Sequence, residues 1–143
     1  MDKVTISHII TTPLKRVNME EGDVLHGIKN TDKGFLAFGE AYFSSINYGA
    51  IKGWKRHLNM TLNLVVPVGK IQFVFLDEQG NFLEEKIGSE NYIRITIPPG
   101  IWFAFKGLEN PSSLLLNIAD IPHDPNEIER KDLSQINYKW EKN

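Results

Sequence analysis

The chain has 143 residues, 41% hydrophobic and 24% charged, with a net charge of −2, the profile of one globular core rather than of a disordered or fibrous protein. At this length roughly 68–70% of the unfolded surface can be buried, and the absence of cysteine excludes a disulfide framework, a thiolate metal site and a thiol nucleophile. Lys and Arg are too dispersed for a nucleic-acid surface, and no apolar run approaches the ~20 residues of a membrane-spanning helix.

From the N-terminus, Met1 to His8 alternates polar and apolar residues without a basic stretch leading into an apolar one, so no signal peptide is expected and a cytoplasmic location is. Period-2 patterning then dominates. It predicts strands over 4–10, 35–46, 60–68, 70–76, 82–87, 92–97, 101–106 and 114–119, separated by Gly, Pro, Asn and Asp, the signature of an all-β sandwich or barrel. Asp77 to Asn81 reads as a hairpin turn, with Gly80 supplying a positive φ. Pro98-Pro99-Gly100 reads as a corner, and Pro67 marks an edge, a bulge or a strand end. Towards the C-terminus the alternation stops. Asp124 or Asn126 can cap a short helix, Glu127 and Arg130 are spaced for one helical turn, and the aromatics of 136–140 are expected to pack back on the sheets. No linker or repeat interrupts residues 1–143, which are read as one domain.

The candidate site centres on Lys52-Gly53-Trp54-Lys55-Arg56-His57. Read as one strand on to Leu64, the segment puts Lys55, His57, Asn59, Thr61 and Asn63 on one face. Trp54, Leu58, Met60, Leu62 and Leu64 occupy the other. That polar face either meets solvent or, in a barrel closed on itself, turns inward as a binding surface. A metal site is disfavoured because His8, His26 and His123 lie in unrelated segments and a lone histidine cannot supply three or four ligands. No Gly-X-Ser-X-Gly elbow or glycine-rich phosphate loop occurs. General acid–base chemistry remains, through a histidine titrating near neutrality or a lysine whose pKa is depressed by burial and by neighbouring Lys52 and Arg56. Trp102 is either core or a stacking wall for a sugar or base.

Taken in order, Lys52 to His57, Gly69, Ile97-Pro98-Pro99-Gly100-Ile101-Trp102, Leu114-Leu115-Leu116-Asn117, and Pro122 to Glu127 with Tyr138 and Trp140 resemble the dTDP-4-dehydrorhamnose 3,5-epimerase-like cupins and the related sugar ketoisomerases. Asp32-Lys33-Gly34-Phe35 with Glu40 resembles the family's upstream motif. The resemblance implies a cupin-type double-stranded β-helix, a jelly-roll barrel with a short C-terminal helix, usually a homodimer. It further implies a metal-independent enzyme without redox cofactor that acts on a nucleotide-linked 4-keto sugar in surface-polysaccharide assembly, such as that of lipopolysaccharide. On that resemblance Lys55 and His57 serve in proton transfer. Lys33, Lys52 and Arg56 contact phosphate, Glu40 helps hold the nucleotide, and Thr61, Asn63, Trp102 and Asn117 complete the substrate-binding set. Three positions depart from the family pattern: Lys55 stands where the first histidine of a His-X-His pair belongs, Phe103 follows Trp102 in place of histidine, and no tyrosine lies within 114–117. A non-catalytic cupin that binds a nucleotide sugar or glycan is the alternative.

Overall fold

The computed structural model describes residues 3–141; the first two and last two residues of the expected domain lie outside that range. Among the described residues twelve strands form: β1 Ile10–Pro13, β2 Arg16–Val17, β3 Val24–Leu25, β4 Glu40–Asn47, β5 Ile51–His57, β6 Leu62–Val68, β7 Lys70–Leu76, β8 Phe82–Gly88, β9 Ile93–Ile97, β10 Trp102–Gly107, β11 Ser112–Ala119 and β12 Ile128–Arg130. Two antiparallel five-stranded sheets, β1-β9-β6-β11-β4 and β12-β5-β10-β7-β8, carry the fold, and β2 pairs with β3 apart from them. Period 2 explains the layering. Leu62, Leu64 and Val66 of β6, Ile71, Phe73 and Phe75 of β7, and Ile95 and Ile97 of β9 belong to one buried cluster, so alternate residues of both sheets meet face to face. This is the all-β jelly roll that the sequence predicts.

The hairpin between β7 and β8 forms where predicted. Asp77 accepts N–H bonds from Gln79 and Asn81, and Gly80 takes φ +85°. Pro67 sits at a bulge, for the β6–β11 register shifts between Leu114, opposite Val68, and Leu116, opposite Val65, and a residue without N–H is tolerated there.

Four expectations are corrected. Residues 4–10 do not form one strand: Thr5 accepts the N–H of Ser7 and donates its own to His8 Nδ1, which winds Ile6–His8 into a 3₁₀ turn before β1. The strand expected over 35–46 begins at Glu40, opposite Ala119. The single strand read from Lys52 to Leu64 is two, β5 and β6, in different sheets. Between them the N–H groups of Leu58, Asn59 and Met60 converge on Glu127 Oε2 at 3.1, 3.1 and 3.2 Å. Consecutive strand N–H groups point to opposite sides, so three in a row on one oxygen require a turn. Finally, the C-terminal helix is a single 3₁₀ turn, Pro125–Glu127, capped by Asp124, and the residues after it pair with β5 as β12. Among the described residues, no helix is long and apolar enough to cross a membrane.

Candidate active site

Two hollows, of about 220 and 350 Å³, share Tyr42, Lys55 and Arg130 in their walls. Ser44, Lys52, Phe103, Phe105 and Asn117 line the first. Glu40, His57, Met60 and His123 line the second. The walls are thus β4 and β11 of one sheet, β5 and β10 of the other, and β12 at the rim. Lys52, Lys55, His57, Glu40 and Asn117, all singled out from the sequence, come together here.

Lys52 and Lys55 share this face only because β5 carries an extra residue. Phe103 pairs with Lys55, but Ala104 pairs with Gly53, which leaves Trp54 bulged. Without the bulge, residues three apart would face opposite ways. Gly53 has φ +150°, and a Cβ there would lie 2.3 Å from that of Ala104, so the bulge calls for glycine at this position.

His57 and Glu127 form a buried pair, 4% and 2% exposed, with Nδ1 and Oε1 2.5 Å apart. Burial by itself would raise the Glu127 carboxyl, but the bonds from His57 and from the backbone N–H groups of Asn59 and Met60 outweigh it and hold the group below the usual carboxylate range. Burial lowers the His57 pKa, against the opposing pull of Glu127. The pair is therefore a neutral imidazole donating Nδ1–H to a carboxylate. Its Nε2 is left as a lone pair, buried and, among the described residues, without a partner, the arrangement of a general base.

Beside it, Lys55 Nζ lies 5.8 Å from the centroid of the Phe103 ring, and that ring stacks on His57 at 6.3 Å. Burial, and next the charge of Arg130, lower the Lys55 pKa, which favours the free amine. Across the cavity Tyr42 stands opposite Asn117 in the β4–β11 register. Burial and then Glu40 raise the phenol's pKa, so Tyr42 keeps its proton near neutrality. Asn117 Nδ2 bonds Ser44 Oγ at 3.1 Å.

Five sequence candidates lie elsewhere. Arg56 and Trp102, opposite each other in the β5–β10 pairing, project to the outer face, where the guanidinium sits 4.7 Å over the indole. Arg56 is also bound to Glu129 at 2.6 Å, and Trp102 packs with Trp54, Val74 and Ile136. Asn63 is committed to the scaffold: its Oδ1 accepts from Arg94 Nε and Thr96 Oγ1, and its Nδ2 donates to the Gly34 carbonyl. Arg94, fully buried, clamps the 27–33 loop through Asp32 and the carbonyls of Gly27 and Lys33, so Lys33 contributes backbone while its side chain is exposed. Thr61 lines a separate hollow with His8, Gly34 and Thr96.

The sequence reading missed Tyr42, Arg130 and the role of Glu127. Tyr42 carries no local signal beyond its place in an apolar run. Glu127 and Arg130 were assigned to a helix, and pairing with a histidine 70 residues earlier has no sequence pattern. Among the described residues, no group of three His, Cys, Asp or Glu side chains is placed to hold a metal.

A jelly roll whose two sheets enclose a buried His–Glu pair, an amine and a phenol is a cupin whose cavity holds groups able to move protons, and solved structures of the same fold are known. The dTDP sugar isomerase from Desulfovibrio desulfuricans G20 is 34% identical over 93% of this chain and 90% of its own, with a TM-score of 0.88. The chain belongs to this dTDP-sugar isomerase family, the group of cupins that its ordered motifs resemble. The dTDP-4-dehydrorhamnose 3,5-epimerase from Sulfolobus tokodaii (20% identical, 96% of this chain and 85% of that one, TM-score 0.81) shares the fold. So does a sugar 3,4-ketoisomerase from Thermoanaerobacterium thermosaccharolyticum solved with TDP (13%, 89% and 90%, TM-score 0.77). No protein-family model matches the sequence, and no curated protein does.

Proposed function

We propose that the protein is a nucleotide-sugar epimerase or ketoisomerase that enolises a dTDP-4-keto-6-deoxyhexose, with residues 1–143 acting as one domain in the cytoplasm during surface-polysaccharide assembly. The observation that carries the reading is the placement of Lys55, His57 and Tyr42 in the walls of adjoining hollows. The C4 ketone acidifies the neighbouring C–H, so a base, an acid and a cationic lining for the enolate are sufficient. His57, oriented by Glu127, and Lys55 take the proton. Tyr42, in place of the tyrosine missing from 114–117, returns one. Lys52 and Arg130 supply positive charge for the enolate and for phosphate, and Asn117 and Glu40 position the sugar nucleotide.

A homodimer fits the same reading. Strand β4 is an edge of its sheet, and Phe38 and Phe43 stand 66% and 63% exposed on and beside it. An apolar edge of this kind invites pairing with a second copy. In sedimentation experiments the wild type should be dimeric and Phe43→Lys monomeric; a monomeric wild type would remove this part.

The activity is tested by incubating the protein with TDP-4-keto-6-deoxyglucose in D₂O and following deuterium uptake and product formation by NMR. Uptake at C3 or C5 is expected. Saturable nucleotide binding without uptake would instead favour a binding module.

A further inference from the structure

We propose that Lys55 works covalently, its amine condensing with the ketone of the bound sugar to form a protonated imine. The proposal rests on the reading above that the substrate carries a ketone, and goes beyond it by giving Lys55 a bond to carbon rather than a proton to carry.

The placement of the side chain carries the argument. Lys55 lies in the wall common to both hollows, where a group spanning them must pass. Among the described residues it makes no hydrogen bond or ion pair, although Glu127 is close enough to influence it. That carboxylate is fully engaged, with one oxygen on His57 and the other on three backbone N–H groups, so it gives Lys55 no hydrogen-bonded counter-ion. Burial and Arg130 favour its free form, the form that attacks carbonyl carbon. The Phe103 ring 5.8 Å away presents a negative π face that suits the delocalised cation of a protonated imine.

The step balances without an oxidant or reductant. The Nζ lone pair forms the C–N bond while the C=O π pair moves to oxygen, which takes a proton from Tyr42. Nitrogen gives a proton to His57 Nε2, His57 passes it to the oxygen, which leaves as water, and solvent restores the proton of Tyr42. The cationic C=N bond draws electrons from the adjacent C–H bond, whose proton passes to His57, giving an enamine. Reprotonation of that carbon from the other face inverts it, and addition of water then releases the sugar and the amine. The imine replaces a buried enolate oxyanion by a neutral enamine, which suits a site where lysine stands in the position of a histidine.

Borohydride trapping tests this. Full-length protein is mixed with TDP-4-keto-6-deoxyglucose, reduced, and analysed by intact mass and peptide mapping, beside a D₂O-exchange sample of the same preparation. The expected result is one added reduced sugar nucleotide per chain, on the peptide containing Lys55, absent without the sugar and absent in Lys55→Arg. Mapping the wild type keeps the test valid if the variant folds poorly. Deuterium uptake without an adduct at Lys55, or labelling spread over surface lysines and undiminished in Lys55→Arg, overturns the imine and leaves the proton-transfer reading standing. Neither uptake nor adduct overturns both.

Discussion

The two faces of the β5–β10 pair carry neighbouring residues to opposite ends. On the inner face Lys55 and Phe103 meet in the cavity, with polar groups left open; on the outer face Arg56 and Trp102 meet under the C-terminal segment, with almost every group satisfied or packed. The outer face is finished as a core is finished, with Tyr138 reaching Gln72 and Glu84 and its ring set against Trp54 and Trp140. The inner face keeps, among the described residues, an unpartnered imidazole nitrogen and a lysine without an ion-pair partner. Among the described residues the outer cluster leaves the buried Trp54 indole N–H without a partner but is otherwise packed and paired, whereas the inner face leaves open the groups that reactivity requires.

The sharpest way to break this contrast is Lys55→Met. Deuterium exchange into the keto sugar should fall by about 10²–10⁴-fold while the melting temperature holds or rises, since a poorly solvated amine is removed; NMR and calorimetry on the same sample check both. Trp102→Ala should do the reverse. It should cost about 3–5 kcal/mol of stability, read by urea unfolding, yet leave the exchange rate per folded molecule unchanged. Glu127→Gln falls between the two. It leaves one carbonyl oxygen in place of two carboxylate oxygens, so either His57 or the three backbone N–H groups face an amide NH₂ instead of an acceptor, costing about 1.5–3 kcal/mol and also lowering activity, because the imidazole loses its charged partner.

A smaller effect comes from pH. His57 and Glu127 are both held below their ordinary values, so the folded chain binds fewer protons than the unfolded one and stability rises with pH. Their contribution is complete above about pH 6.5, the ordinary histidine value, and is lost as acid protonates them in the folded state. Lys55 and Arg130 reinforce the depression at His57. Urea midpoints measured from pH 7 down to 4 should fall, and fall at least as steeply in Glu127→Gln, where loss of the carboxylate's upward pull leaves the His57 pKa lower still. The smallest change expected is Arg56→Met, below about 1 kcal/mol for a partly exposed pair and without effect on TDP affinity. Lys52→Met should weaken TDP by calorimetry at unchanged stability.

The β-barrel and the hairpin at Asp77 were legible because they depend on periodicity and local turn chemistry. So was the nucleus of the site, since Lys55 and His57 share parity on one strand. Parity failed for Lys52, which only the bulge at Trp54 brings to their side, and for Thr61 and Asn63, which the turn at 58–61 carries into another sheet. Arg56 and Trp102 were drawn in by nearness along the sequence. The local pattern at Glu127 fits a helical turn equally well, and tertiary pairing with β5 decides against it.

The C-terminal strand β12 leaves a consequence for synthesis on the ribosome. Residues 4–121 supply the whole of the main buried cluster, whereas Glu127 and Arg130 follow them in the chain. A nascent polypeptide can therefore close its barrel before it owns the carboxylate that orients His57. The carboxylate that orients His57 thus follows, in order of synthesis, every residue of the main buried cluster.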